Sequence, residues 1–240
     1  MAGQTNSGRS RRLVSPDQML RVDGKSEFFE IMVDSLSINK ILIRFIKYDK
    51  SAPTGSRQQA TIPIYLDVLD AMTISGDILS GRLSKMGEKS RQTAKEAGSK
   101  YPREILNRMG GTSAAKSNRG DGKPEFRGFK ITPGSMQPWI FSAETGPGKQ
   151  SEQGLISPDY KAPETIVRVP MTDDTLKKVA YAFQLAGQVW AMAKFQPDVA
   201  EWMAKRSQET RNAMMAKGKG GQHGPDPEPE DTDDGSGAVE

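Results

Sequence analysis

An α+β fold is predicted, with two antiparallel strands-then-helix (ββββα-like) repeats forming a pseudo-symmetric pair between disordered termini. Two observations predict it. In the first, Thr165-Ile166-Val167-Arg168-Val169 puts Val167 and Val169 on one face and Arg168 on the other, as a strand does. Pro170 stops the ladder, and Thr172 or Asp173 caps a helix whose first turn carries Asp173 and Asp174. Leu176, Val179, Phe183, Ala186, Trp190 and Ala193 then alternate in spacings of three and four, one apolar helix face. The second observation is that this design recurs 107 positions earlier. There Ile62-Pro63-Ile64 lies under Val169-Pro170-Met171, and Asp67 lies under Asp174. Leu69, Met72, Gly76, Leu79, Leu83 and Met86 lie under the six helix positions.

Residues 1–26 are polar, Gly/Ser-rich and basic, and expected to be disordered. The first repeat occupies 27–87, with a strand from Phe28 to Val33 and a longer one from Ile38 to Tyr48. In the latter Ile41, Ile43 and Phe45 oppose Leu42, Arg44, Ile46 and Tyr48. Lys50 to Arg57 reads as a loop, and Gln59 to Ile64 as a strand that Pro63 places at an edge or ends. A helix from about Tyr65 to Met86 completes the unit. Residues 88–122 read as a basic flexible connector, with a short helix over Tyr101 to Met109. Across 82–127, twelve Lys/Arg face five Asp/Glu, a density that favours contact with a polyanion.

The second repeat, 123–217, opens Lys123-Pro-Glu-Phe126, an echo of Lys25-Ser-Glu-Phe28. Phe126 to Thr132 and Pro138 to Glu144 read as strands, Gly146-Pro-Gly-Lys149 as a turn, and Gln153 to Ile156 as a further short strand. After the long helix, Pro197 starts an extra C-terminal helix to about Lys217. Residues 218–240 form a disordered acidic tail.

Composition narrows the function. Mean hydropathy of −0.62 suits a chain that is partly disordered. With no cysteine and His223 as the one histidine, disulfides, thiolate metal sites and histidine catalysis fall away, and no cofactor or metal is expected. No apolar run reaches the ~18 residues of a membrane span, and the N-terminus lacks a signal-peptide core, so a cytoplasmic protein without membrane contact is expected. The net charge of +4 hides a polarity, because seven acidic residues from Asp226 onward meet no Lys or Arg. The remaining body carries 34 basic against 23 acidic residues, a charge of +11 that suits a polyanion.

Enzyme readings fare poorly, and no enzyme is expected. Gly146-Pro-Gly-Lys149 fails the phosphate-loop pattern at Ala143 and Gln150. Asp67, Asp70 and Asp77 allow a magnesium nuclease only in principle, while helix capping explains Asp173 and Asp174. A sheet with a helix on one face instead leaves the other face open to a single nucleic-acid strand, with rings stacking on bases and cations following phosphates. That surface carries Arg44 and Tyr48, with Lys47, Lys50 and Arg57 at its rim, and from the second repeat Lys130, Lys149, Arg168 and Trp139 or Phe141. Strand residues such as Trp139 and Phe141 are more often core than stacking platform, and Arg44 and Lys47 equally suit an ordinary solvated face.

The doubled plan, the Ile62-Pro63 and Val169-Pro170 turns and the strand aromatics resemble the Whirly, Pur-alpha and transcriptional-coactivator group of single-stranded DNA-binding proteins. The resemblance covers about 27–87 and 123–195, and the plant Whirly lysine-rich motif is absent. It implies binding of single-stranded DNA rather than RNA. The acidic tail is similar to that of bacterial single-strand-binding proteins and could recruit a protein partner, although it ends Gly-Ala-Val-Glu without their apolar tip. The combination resembles accessory proteins acting in replication, transfer or repair of plasmids, phages or conjugative elements. The alternative is a structural or regulatory protein that forms homo-oligomers through its long helices.

Overall fold

Strict alternation of apolar side chains gives each strand one face that must leave water, and the chain satisfies this by joining two such faces. The computed structural model describes residues 15–53 and 56–218; the acidic tail, His223 and the first fourteen residues lie outside them. The first sheet runs β1 (Gln18–Asp23), β2 (Glu27–Met32), β3 (Lys40–Tyr48) and β4 (Gln58–Asp67) in that order, all antiparallel. Helices α1 (Val68–Leu79) and α2 (Arg82–Glu96) follow. In the second sheet β5 (Leu106–Thr112), β6 (Glu125–Pro133) and β7 (Trp139–Gln150) lie side by side. The short β8 (Ile156–Pro158) extends one end of β7, and β9 (Thr165–Met171) pairs along the rest of it. Helices α3 (Asp173–Phe195) and α4 (Pro197–Gly218) close the second repeat, so the expected pseudo-symmetric pair is what the chain forms.

The inner faces of the sheets meet. Phe29 stacks on Phe141 at 5.5 Å, and Phe45 lies 6.0 Å from Phe129, all four fully buried. Helices α1 and α3 seal this core, and Ser75, itself buried, donates its hydroxyl to the Ala180 carbonyl at 2.8 Å. Pro63 and Pro170 both sit on edge strands, where a missing N–H breaks no ladder. Among the described residues no helix is long and apolar enough to cross a membrane.

Several expectations need correction. The disorder expected over residues 1–26 does not extend to Gln18–Asp23, which forms β1, because Leu20 and Val22 pair opposite Ile31 and Phe29 and share their buried face. The flexible connector expected over 88–122 holds most of α2 and all of β5. Helix α2 is amphipathic, burying Leu83, Gly87 and Ala94. The helix expected over Tyr101 to Met109 is replaced by β5, which ends just past Gly110-Gly111. Gly111 has φ +154, and a Cβ there would collide with the Glu125 carbonyl of β6. The expected turn at Gly146-Pro-Gly-Lys149 is the continuing strand β7. Its glycines admit close neighbours rather than reverse the chain: a Cβ on Gly146 or Gly148 would lie 2.7 Å from Tyr160 or Ile156. The single helix expected from Tyr65 to Met86 starts three residues later and breaks at Gly81, whose φ of +76 ends α1 and begins α2.

The internal repeat is real, but its phase differs. Buried positions coincide at a shift of 105: Ile62, Ile64 and Leu66 with Val167, Val169 and Met171, then Ala71, Ile74, Ser75 and Ile78 with Leu176, Val179, Ala180 and Phe183. A two-residue slip leaves a strand's faces unchanged, since their period is two, yet turns a helix by about 200°. Leu69 and Met72 therefore lie on the outer side of α1, 63% and 37% exposed.

Candidate nucleic-acid interface

The outer face of the first sheet follows from the same alternation. With Phe29, Ile31, Ile43 and Phe45 turned inward, Phe28, Glu30, Arg44 and Tyr48 point outward. Cross-strand register then sets Arg21, Glu30, Arg44 and Pro63 in one row. Glu30 is buried and shared: its Oε2 accepts from Arg44 Nη2 at 2.6 Å, and its Oε1 lies 3.8 Å from Arg21 Nη1. One carboxylate so lies between two guanidinium groups, with Arg21 also paired to Asp23 at 2.7 Å.

Beside that row stands an aromatic pair. Phe28 and Tyr48 have ring centroids 5.5 Å apart at 59°, and the Arg21 guanidinium lies 3.7 Å from the Phe28 centroid. Both rings are half-buried, supported from beneath with part of their surface open to solvent. The β1–β2 turn and the β3–β4 loop meet at this end, where the Tyr48 N–H donates to the Ser26 carbonyl at 3.0 Å. They bring Lys25, Lys50 and Arg57 to this end of the sheet, where Lys47, next to Tyr48 and opposite Glu27, faces the other side. Arg57 Nε donates to the Ala52 carbonyl at 3.1 Å. Among the described residues none of these four cations has a carboxylate within ion-pair distance.

The basic surface continues onto the second sheet through Glu27. This residue pairs with Lys47 across β2–β3, and its Oε2 accepts the backbone N–H of Arg168 at 2.9 Å, covering the free edge of β9. On the outer face of that sheet Lys130, Ser142 and Arg168 lie side by side on β6, β7 and β9. The Arg168 side chain is exposed, while Lys130 Nζ is held by Glu144 Oε1 at 2.8 Å. Lys149 lies farther along β7 and pairs with Asp159 at 3.1 Å; Lys123 shares that carboxylate at 2.9 Å. Hydrogen bonds from the two lysines hold the Asp159 carboxyl below its ordinary range.

The ten candidate residues therefore separate into groups. Arg44 and Tyr48 share the outer face of the first sheet; Lys47, Lys50 and Arg57 share its end, with Arg168 across the Glu27 bridge. Lys130 and Lys149 are already ion-paired. Trp139 and Phe141 leave the site altogether. Phe141 stacks inside the core, and Trp139 is clamped between Gly87 of α2 and the second sheet, with its indole N–H donating to Asp173 at 2.6 Å. A fully buried ring has no face to offer a base. Asp67, Asp70 and Asp77 do not converge as magnesium ligands would, because each engages its own cation: Lys40, Arg108 and Arg82.

Phe28, Arg21 and Lys25 were missed. The signal was present in the Phe28-Phe29 pair, since adjacent strand residues must face opposite ways and only one can enter the core. Arg21 was hidden because β1 was not recognised as a strand.

No family model and no curated protein matches the chain. Solved structures similar to it include a crystal structure of WHY1 from Arabidopsis thaliana, at 12% identity over 85% of this chain and 94% of that one, with a TM-score of 0.39. Another is the plant transcriptional regulator PBF-2, at 10% identity over 78% and 92% of the two chains, with a TM-score of 0.38.

Proposed function

We propose that this chain binds single-stranded nucleic acid, DNA in preference to RNA, with little sequence preference and without acting on it chemically. The observation that carries the reading is the half-open Phe28–Tyr48 pair at the end of the sheet that also carries Lys25, Lys47, Lys50 and Arg57, cations with no carboxylate partner among the described residues. Rings stack on any base, at ~1–3 kcal/mol each, while lysines follow the phosphates, so affinity comes without base-edge readout. A duplex keeps its bases stacked on each other and offers the rings nothing. The charge of +11 on the chain before its acidic tail supplies the long-range attraction. The setting we propose is replication, transfer or repair of a mobile element, from the pairing of basic body and acidic tail. Titration of fluorescent single-stranded DNA, RNA and duplex oligonucleotides across a salt series tests the reading. Tightest binding to single-stranded DNA is expected; equal or tighter binding to duplex at moderate salt overturns it.

A second reading, self-association through the long helices, has its own observation. Tyr181, Leu185, Met192 and Phe195 form an exposed stripe along α3. Sedimentation of wild type against Leu185→Glu separates the two, since an unchanged monomer removes the second reading and leaves the first intact.

A further inference from the structure

The pseudo-symmetry leaves one mismatch. Aligning the repeats on the Ile31–Ile43 and Ile131–Phe141 pairs puts Gly128 at the place of Phe28 and Gly146 at that of Tyr48. The second sheet therefore lacks strand-borne rings where the first carries its aromatic pair. It has instead a longer connection, fourteen residues from β7 to β9 against nine from β3 to β4. This strap returns over the outer face and lays the Tyr160 ring on Gly146, where a Cβ would stand only 2.7 Å from Cε1. Phe126 meets the ring edge-on at 5.8 Å. Both ends of the strap are pinned to β7, through Asp159 N–H to the Pro147 carbonyl and Glu164 N–H to the Thr145 carbonyl.

Three cations pair with carboxylates of the strap and of the loop before β6. Asp159 takes Lys123 and Lys149 at 2.9 and 3.1 Å. Arg119 forks onto Glu164 at 2.7 and 2.9 Å and onto Asp121 at 2.7 and 3.0 Å. Bidentate guanidinium–carboxylate geometry is also guanidinium–phosphate geometry, and the exposed lysine pairs contribute little on their own, so another anion can take the place of their carboxylate. The Tyr160 hydroxyl is buried close to the Glu144 carboxylate, and burial and that charge together push its pKa well up.

We propose that Tyr160, with Arg119, Lys123 and Lys149, forms a second subsite for single-stranded nucleic acid, whose phosphates replace Asp159, Glu164 and Asp121. The proposal rests on the single-strand-binding reading above and extends it to the second sheet. The strap supplies a ring where β6 and β7 carry Gly128 and Gly146, and the paired carboxylates stand in for phosphates in the free protein.

The test compares full-length variants on a single-stranded DNA long enough to cover both sheets. Asp159→Asn releases both lysines, and binding is expected to tighten roughly two- to five-fold at low salt, the scale of one exposed ion pair. The slope of log affinity against log salt should steepen by about 0.7 for each additional phosphate that the freed lysines neutralise. Glu88→Gln, the same charge change on α2, controls for net charge and should move neither quantity as far. Tyr160→Leu should weaken binding at least about five-fold through lost stacking, with Tyr160→Phe binding as wild type. The Phe variant also guards against misfolding, since it keeps the packing. An Asp159→Asn protein indistinguishable from Glu88→Gln, or a folded Tyr160→Leu protein that binds as wild type, overturns the subsite while the function stands. Failure of wild type to bind single strands overturns both.

Discussion

Two phenylalanines adjacent in sequence have opposite fates, which locates the proposed function at single side chains. Phe29 enters the core against Phe45 and Phe141; Phe28 lies outside with Tyr48. Replacing Phe28 or Tyr48 by Ala should each weaken single-strand binding by ~1–3 kcal/mol with little loss of stability, read from parallel titration and melting curves. Replacement of Trp139 should do the reverse. The acid response is also a residue-scale matter. Hydrogen bonding to Arg119 brings the Asp121 carboxyl down to about 2. A lowered carboxylate contributes stability that is present above its ordinary value of ~3.9 and is lost as pH falls through the folded value. The small contribution of this pair should therefore fade between pH ~4 and pH ~2. Carboxyl NMR should find Asp121 titrating near 2 in wild type and returning toward ~3.9 in Arg119→Ala.

At the scale of elements, helices stand or fall with what they press on. Phe183 of α3 is fully buried in the core that α1 and α3 seal, so Phe183→Ala should cost ~3–5 kcal/mol through the cavity it leaves. A much lower melting temperature is expected by circular dichroism; an unchanged one would contradict the packing of α3 described above. Two glycines offer a sharper comparison. Gly87 of α2 touches Trp139, whose ring would lie 2.7 Å from an added Cβ, whereas Gly76 of α1 has nothing within 4 Å. Gly87→Ala should destabilise, because the indole is tethered to Asp173 and has no room to retreat. Gly76→Ala should stabilise by roughly 0.5–1 kcal/mol through helix propensity. Thermal melts with the same sign for both variants would refute the α2–Trp139 contact.

For the molecule as a whole, charge is the governing quantity. Seven acidic residues after Gly224, outside the described residues, oppose a body of +11. Deleting 225–240 should tighten single-strand binding at low salt, and the gain should shrink as the screening length contracts toward ~8 Å at physiological ionic strength. Self-competition also requires the amide resonances of Asp231, Asp233 and Asp234 to move when DNA is added. Resonances that stay in place leave the tail as a solubilising or partner-recruiting arm.

The sequence by itself determined what is local and periodic. Alternation in 41–48 and 165–169 specified which side chains of β3 and β9 enter the core, and Pro63 marked an edge strand, because both rules act between near neighbours, whereas Pro170, which reads as the stop of its ladder, is paired with Ile140 inside β9. The doubled architecture was legible for the same reason. Only the tertiary structure decided the phase of the repeat, since two residues of slip are invisible to a strand but rotate a helix past its apolar face. It alone ordered β1, α2 and β5, whose few apolar residues bury against partners far along the chain, as Gly87 does against Trp139. The site divided in the same way. The cations near Tyr48 were readable from composition and alternation, whereas Trp139 could be assigned to core or surface only once Asp173, Gly87 and Arg91 had gathered round it. Burial depends on every element that reaches a residue, and no window of sequence contains them all.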